Sequence, residues 1–267
     1  MKKIGLVAGS GSLPLLFLDR AKPKGCKVFT LAIKNEADPK IRGFSEKMLL
    51  LPAGRLSQGV KFFRENGVVE AIMLGQVRHR RLLHPRYADY IDPQMAQILT
   101  RISDKRTTTV LEAIIDYFQQ NGIHFLPSTY LLEDLLLPSG FSAGPALTEK
   151  ERADVALGRK IAETLASLDV GLTVAVKDGI VLAMEAIEGT DLTMRRAGRF
   201  TEGIVVVKVS RPSQDLRFDL PVVGPRTITT LARISGRAIA ISPGTFVLEK
   251  EKVFRLAERH GLTLSVF

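Results

Sequence analysis

The sequence predicts an α/β protein in two parts: a Rossmann-like N-terminal domain with an open, mostly parallel sheet, linked to a mixed α/β C-terminal domain. Three observations carry this expectation. Apolar runs of strand length alternate with amphipathic segments through the first half, a βαβ rhythm. A proline- and glycine-rich stretch, LLLPSGFSAGPALT, then interrupts the pattern around Gly140. Beyond it a helix leads into two β-rich runs joined at Asp178-Gly179, a hairpin signal, so the second half opens differently from the first.

Taken in order, KKIGLVAG, CKVFTLAI and VVEAIMLG read as strands, with LPLLFLDRA and the helical LSQGVKFFRENG between them. TTTVLEAIIDYFQQNG has Val110, Ile114 and Phe118 at four-residue steps and Gly122 at its end, predicting a helix before the strand-like IHFLP. Domain boundaries follow at 1–135, with a linker at 136–147 and a second domain at 148–267. In that second domain EKERADVALGRKIAETLASL reads as a helix, VGLTVAVKDGIVLAMEAIEG as a hairpin, GIVVVKV as a strand, and Thr227 to Arg233 as a short helix. RAIAIS, a helix around EKEKVFRLAERHG and the terminal LTLSVF complete it. In QDLRFDLP, Asp215, Arg217 and Asp219 alternate with Leu216, Phe218 and Leu220, predicting a short edge strand or extended loop with both aspartates on one face.

A chain of 267 residues with 45% hydrophobic content has room for two packed cores. The single cysteine, Cys26, sits in an apolar run that reads as strand; with no partner in the chain it points to a reducing compartment. Residues 1 to 20 lack signal-peptide features and no run is long enough to span a bilayer, so the expected location is cytoplasmic. A net charge of +10 suits an anionic substrate, an anionic lipid surface or nucleic acid. Only 6% aromatics, no tryptophan and no recognisable nucleic-acid motif argue against the last. The densest basic cluster, RHRRLLHPR at 78–86, offers a membrane-surface contact or a solvated loop.

Between Glu185 and Thr227, Glu188, Asp191, Asp215 and Asp219 are interspersed with Arg195, Arg196, Lys208, Arg211, Arg217 and Arg226. Hard carboxylate oxygens beside guanidinium and ammonium groups suit a divalent cation, Mg²⁺ or Mn²⁺, next to a phosphate. Water-exposed ion pairs are the plain alternative for such a segment. Gly9-Ser10-Gly11-Ser12-Leu13-Pro14 follows the first strand and leads into a helix whose first amides can hold a phosphate, although a tight turn needs the same glycines. Pro14 and the absence of a ribose-binding acid after the second strand exclude the dinucleotide fingerprint. Gln76, in the GQV after another strand, is a hydrogen-bonding candidate, and Glu188-Gly189-Thr190-Asp191 supplies a flexible glycine and a hydroxyl. Lys208, a charge in an apolar strand, is expected at a site. The four scattered histidines and the absence of GxSxG or paired cysteines exclude zinc and serine-hydrolase motifs.

With GSGSLP, GQV, DVG, EGTD followed by RR, and QDLRFDLPVVGPRTI, the chain resembles the UDP-2,3-diacylglucosamine pyrophosphatases of lipid A biosynthesis, in their two-domain cytoplasmic form, over essentially its whole length. The resemblance implies metal-dependent hydrolysis of UDP-2,3-diacylglucosamine to UMP and 2,3-diacylglucosamine 1-phosphate, lipid X, by water attacking the sugar-side phosphorus. It places the essential aspartate of DxPxxG at Asp219, with Asp215 as its catalytic assistant and Asp219, Asp191 and Glu188 as candidate metal ligands. Gly9, Ser10, Gly11, Leu13, Gln76, Gly189, Thr190, Arg195, Arg196, Lys208, Gln214, Arg217 and Thr227 become the candidate substrate contacts. Transient contact with the inner membrane surface follows from the lipid substrate, and a homodimer is compatible with it. The rival reading is a non-catalytic lipid or sugar-nucleotide binding protein, which needs the glycines and cations but not the clustered carboxylates.

Overall fold

The computed structural model describes residues 1–77, 91–212 and 214–267; the basic cluster expected at 78–86 lies wholly outside them, as does Ser213. The chain divides into two compact units, one made of Met1–Leu132 with Asp215–Asp219, the other of Glu133–Gln214 with Leu220–Phe267.

The first unit carries five strands: β1 (Lys3–Ala8), β2 (Lys27–Ile33), β3 (Lys47–Leu51), β4 (Glu70–Leu74) and β5 (His124–Phe125). They pair in the order β3-β2-β1-β4-β5, every pair parallel. This is the open parallel sheet expected, and the order reverses direction between β1 and β4, where doubly wound sheets place ligands at the carboxyl ends of their strands. Helices α1 (Leu13–Ala21), α2 (Leu56–Glu65), α3 (Pro93–Arg101) and α4 (Thr107–Gln120) lie in the connections β1–β2, β3–β4 and β4–β5, and a 3-10 turn at Pro39–Gly43 lies between β2 and β3. Phe63 of α2 and Val110, Ile115 and Phe118 of α4 pack with Phe29 and Leu31 of β2 in one core. Alternate β2 residues Val28, Thr30 and Ala32 are buried on the opposite face, the one that a right-handed β1-α1-β2 crossover gives to α1. Phe218 completes the α2–α4 core, so residues Asp215–Asp219 belong to this unit by packing, although they fall within the 148–267 range expected for the second domain. Cys26 precedes β2 in a turn, its thiol near the Lys24 carbonyl, and is not a strand residue.

In the second unit, β6 (Ser142–Ala143), β7 (Thr173–Lys177), β8 (Ile180–Met184), β9 (Val205–Lys208), β11 (Ala238–Ile241) and β13 (Thr263–Val266) form a mixed sheet, ordered β6-β13-β11-β9-β7-β8. The pairs β9-β11 and β11-β13 are parallel and the others antiparallel. β6 lies within the stretch expected as a linker, where it caps the sheet edge. β10 (Val222–Val223) and β12 (Phe246–Val247) pair separately. Helix α5 (Glu149–Ser167) covers one face, and α6 (Thr190–Ala197), α7 (Pro225–Arg233) and α8 (Lys250–Arg259) cover the other. The strands obey period two strictly: Val205, Val207, Ala238 and Ala240 face the α5 core, while Val206, Ile239 and Ile241 face the other. Burial on both faces makes these strands continuous apolar runs. Gly158 lets α5 press onto Val207, since a Cβ there would lie 2.6 Å from the valine methyl. The predicted hairpin is present: Asp178 (φ 49°) and Gly179 (φ 76°) turn between Lys177 and Ile180. The buried Asp154 carboxylate of α5 accepts from both turn amides, at 2.9 and 2.7 Å.

Candidate functional site

In the first unit the glycine turn after β1 and the GQV turn after β4 meet at the reversal of strand order. The Gly9 amide donates to the Leu74 carbonyl at 2.8 Å, and Ser10 and Gln76 exchange backbone hydrogen bonds at 2.8 and 3.0 Å. The Ser10 hydroxyl adds a bond to the Gln76 carbonyl at 2.9 Å. The two turns approach so closely that a Cβ on Gly9 would sit 2.6 Å from the Gln76 carbonyl oxygen, and one on Gly75 2.5 Å from that of Ser10. Glycine is therefore demanded by turn-on-turn packing as well as by any ligand. Gly11 has φ 96° with open space around it, the Gln76 side chain is exposed, and Leu13 is buried at the start of α1.

Residues 216–218 make a turn, where a short edge strand or an extended loop was expected. The Asp215 carboxylate accepts from the Arg217 amide at 2.8 Å and from the Arg217 guanidinium at 3.0, 3.0 and 2.7 Å. This local pairing competes with strand formation, as short acidic side chains do when they bind their own backbone. The Leu216 carbonyl accepts from the Ser128 amide at 2.6 Å, and Phe218 is buried. Asp219 then takes φ 51°, a left-handed conformation that aspartate tolerates but few other side chains do, and it is exposed. Period-two alternation is thus lost, and the two aspartates do not share a strand face. Burial pushes the Asp215 carboxyl up, but the Arg217 side chain and amide outweigh it and hold it below the usual carboxylate range. The same pairing raises Arg217, with Asp116 and Glu112 adding to it.

In the second unit EGTD opens α6, with Gly189 at φ 85° just before the helix. At its first residue the Thr190 hydroxyl donates to Glu185 Oε1 at 3.0 Å and accepts from Lys208 Nζ at 2.8 Å. Lys208, the buried last residue of β9, also reaches Thr173 Oγ1 at 3.3 Å and Glu185 Oε2 at 3.8 Å. Thr173 pairs with Lys208 in the β7–β9 register and lies 3.2 Å, hydroxyl to hydroxyl, from Thr190. Lys208 is therefore engaged, as a charge in an apolar strand must be, but by the protein itself. Glu185 and Thr173 were missed because neither carries a motif. The signal that could have found them is that a lysine in a buried strand needs an acid nearby.

Arg196 donates to Glu188 Oε1 and to the Met184 carbonyl, both at 2.7 Å. Burial pushes the Glu188 carboxyl up, yet its own amide, Arg196 and the Ala186 amide hold it below its ordinary value. Arg226 pairs with Asp191 at 2.6 Å, joining the first turns of α6 and α7. The Thr227 hydroxyl accepts from the Gly224 amide at 3.4 Å, a capping role at α7, and Gln214 Oε1 accepts from the Arg211 amide at 3.3 Å. Arg195 is exposed on α6.

The carboxylates of each unit do not fit a divalent ion as they stand. Glu188, Asp191 and Asp215 are each held by an arginine, and among the described residues no three His, Cys, Asp or Glu side chains gather into a metal site. Nor, among those residues, is any helix long and apolar enough to cross a membrane.

Comparison with known proteins gives this geometry a context. The LpxI N-terminal domain model matches residues 3–135 and the LpxI C-terminal domain model residues 138–265. The UDP-2,3-diacylglucosamine pyrophosphatase LpxI of Caulobacter vibrioides is 26% identical over 276 residues, covering 98% of this chain and 96% of its own. Among solved structures, the N5-carboxyaminoimidazole ribonucleotide synthetase of Thermotoga maritima aligns with 70% of this chain and 43% of its own, at 14% identity and TM-score 0.29. A biotin carboxylase of Campylobacter jejuni aligns with 88% and 42%, at 11% identity and TM-score 0.30. The chain spans less than half the length of these two proteins, and overlaps so slight carry no argument. The domain models, in contrast, follow one another through nearly every residue and take in the turns and clusters of both units: the chain belongs to the LpxI family.

Proposed function

We propose that this chain hydrolyses the pyrophosphate of UDP-2,3-diacylglucosamine, releasing UMP and 2,3-diacylglucosamine 1-phosphate for lipid A assembly. The observation that carries the reading is the end-to-end alignment with the Caulobacter vibrioides pyrophosphatase, 98% of one chain on 96% of the other. Water attacks the sugar-side phosphorus; its bond to the bridging oxygen breaks and UMP departs with that oxygen. Asp219, exposed on its turn, orients the water and takes its proton. The Gly11 backbone amide, beyond the Gly9 and Ser10 amides that the turn itself uses, offsets the charge that develops on the phosphoryl oxygens. A divalent cation, Mg²⁺ or Mn²⁺, belongs to the same reading and would supply Lewis-acid assistance. Asp219 is the carboxylate we assign to it. Work in the cytoplasm with transient contact at the inner membrane surface follows from a lipid substrate, and a homodimer is compatible with it.

Hydrolysis in ¹⁸O-water tests the direction of attack. The label should appear in the glucosamine 1-phosphate and not in UMP; label in UMP would overturn the proposed attack.

A further inference from the structure

Counting hydrogen-bond capacity in the second unit gives Lys208 and Thr190 roles other than direct contact with substrate. A threonine hydroxyl has one proton and two lone pairs. At Thr190 the proton goes to Glu185 at 3.0 Å, one lone pair receives Lys208 at 2.8 Å, and the Thr173 hydroxyl lies 3.2 Å away to occupy the other. The Lys208 ammonium donates to Thr190 at 2.8 Å and Thr173 at 3.3 Å, and its side chain, 7% exposed, is ion-paired with Glu185 Oε2 at 3.8 Å. Glu185 is itself fixed: its amide donates to the Thr173 carbonyl at 2.8 Å, and its Oε2 accepts from the Leu172 amide at 3.3 Å. Gly171 is required beside it, since a Cβ there would collide with the Glu185 carbonyl. Gly171, the last residue of DVG, thus leaves room for this glutamate's backbone.

We propose that Glu185 is a positioning residue that, through Thr190 and Lys208, fixes the first turn of α6, and that neither Lys208 Nζ nor Thr190 Oγ1 contacts the substrate. The donors left to an anion at this turn are the first backbone amides of α6, which have no partner within a helix. Removing Glu185 frees Thr190 and strands a lysine in a buried strand; replacing it by glutamine keeps the Oε1 acceptor that Thr190 needs. The inference rests on the proposed hydrolase reading.

The test compares wild type, Glu185→Ala, Glu185→Gln, Thr190→Val and Lys208→Met for kcat, KM and thermal midpoint, with assays well below each midpoint. Glu185→Ala and Thr190→Val should each lower kcat/KM by more than about tenfold while folded, and Glu185→Gln should recover most of that loss. Glu185→Gln should nevertheless melt lower than wild type, because it leaves the Lys208 charge uncompensated. Stability and activity would then separate, as they would not if Glu185 served the fold alone. Two results would overturn the inference: Glu185→Ala with wild-type kcat/KM, or Lys208→Met raising KM more than about tenfold while the Glu185 variants lower it, the sign of a lysine that binds phosphate directly. A wild type that does not hydrolyse the substrate would instead sink the functional reading on which it rests.

Discussion

At the scale of single residues, the Asp215–Asp219 turn joins chemistry to backbone conformation. Asp215 accepts from the Arg217 amide and guanidinium and so supports the turn. Its carboxyl is held below the ordinary value of about 4. A carboxylate depressed in the folded state stabilises fully above its unfolded value, and the contribution is lost as pH falls through the folded value. Stability measured by urea midpoint should therefore fall on acidification below about pH 4, and fall less steeply in Arg217→Met, which lacks the partner. Equal slopes would contradict the assignment. The sequence marked Asp215, Arg217 and Asp219 as important but gave them the wrong backbone. Alternation alone cannot distinguish a strand from a turn in which an aspartate binds the amide two residues on. Lys208 was legible as a paired charge, whereas its partners Glu185 and Thr173 lie 23 and 35 positions away in sequence and come together only through β-pairing.

At the scale of elements, periodicity revealed what packing enforces. β9 and β11 are buried on both faces, so their apolar runs were unambiguous, as was the α4 helix. β5 was read from IHFLP, but β6, two residues within the stretch expected as a linker, has no period to read. The convergence of GSG and GQV was also invisible, because each is an ordinary turn alone and only the β3-β2-β1-β4-β5 order brings them together. The Asp178-Gly179 hairpin was read from its turn residues, but Asp154, 24 positions earlier, supplies the acceptor for both turn amides. Asp154→Ala should leave two amides without that acceptor and cost about 2–3 kcal/mol in chemical denaturation, about twice the effect of Asp154→Asn. A loss under about 0.5 kcal/mol would show that water replaces the carboxylate.

For the whole molecule, each of two units has its own core and its own polar arrangement: paired glycine turns and the Asp215–Asp219 turn in one, the Glu185–Thr190–Lys208 network and an arginine-bearing α6 in the other. The family was legible from the motifs because they occupy fixed turns and helix starts. That Glu188 and Asp191 pair with Arg196 and Arg226 was not legible, because charge in sequence does not disclose which arginine answers which acid. The central claim is that the chain is a hydrolase acting through Asp219. Asp219→Gly is the informative variant, since glycine accepts φ 51° without strain and so removes the carboxylate while keeping the turn. Turnover of UDP-2,3-diacylglucosamine should be followed for wild type and Asp219→Gly, with Mg²⁺, Mn²⁺ or EDTA. The account predicts UMP and 2,3-diacylglucosamine 1-phosphate from wild type, suppression by EDTA, and a fall of about 100-fold or more in the folded variant. Substrate left intact by folded wild type with either metal, or cleaved equally well by Asp219→Gly, would contradict it.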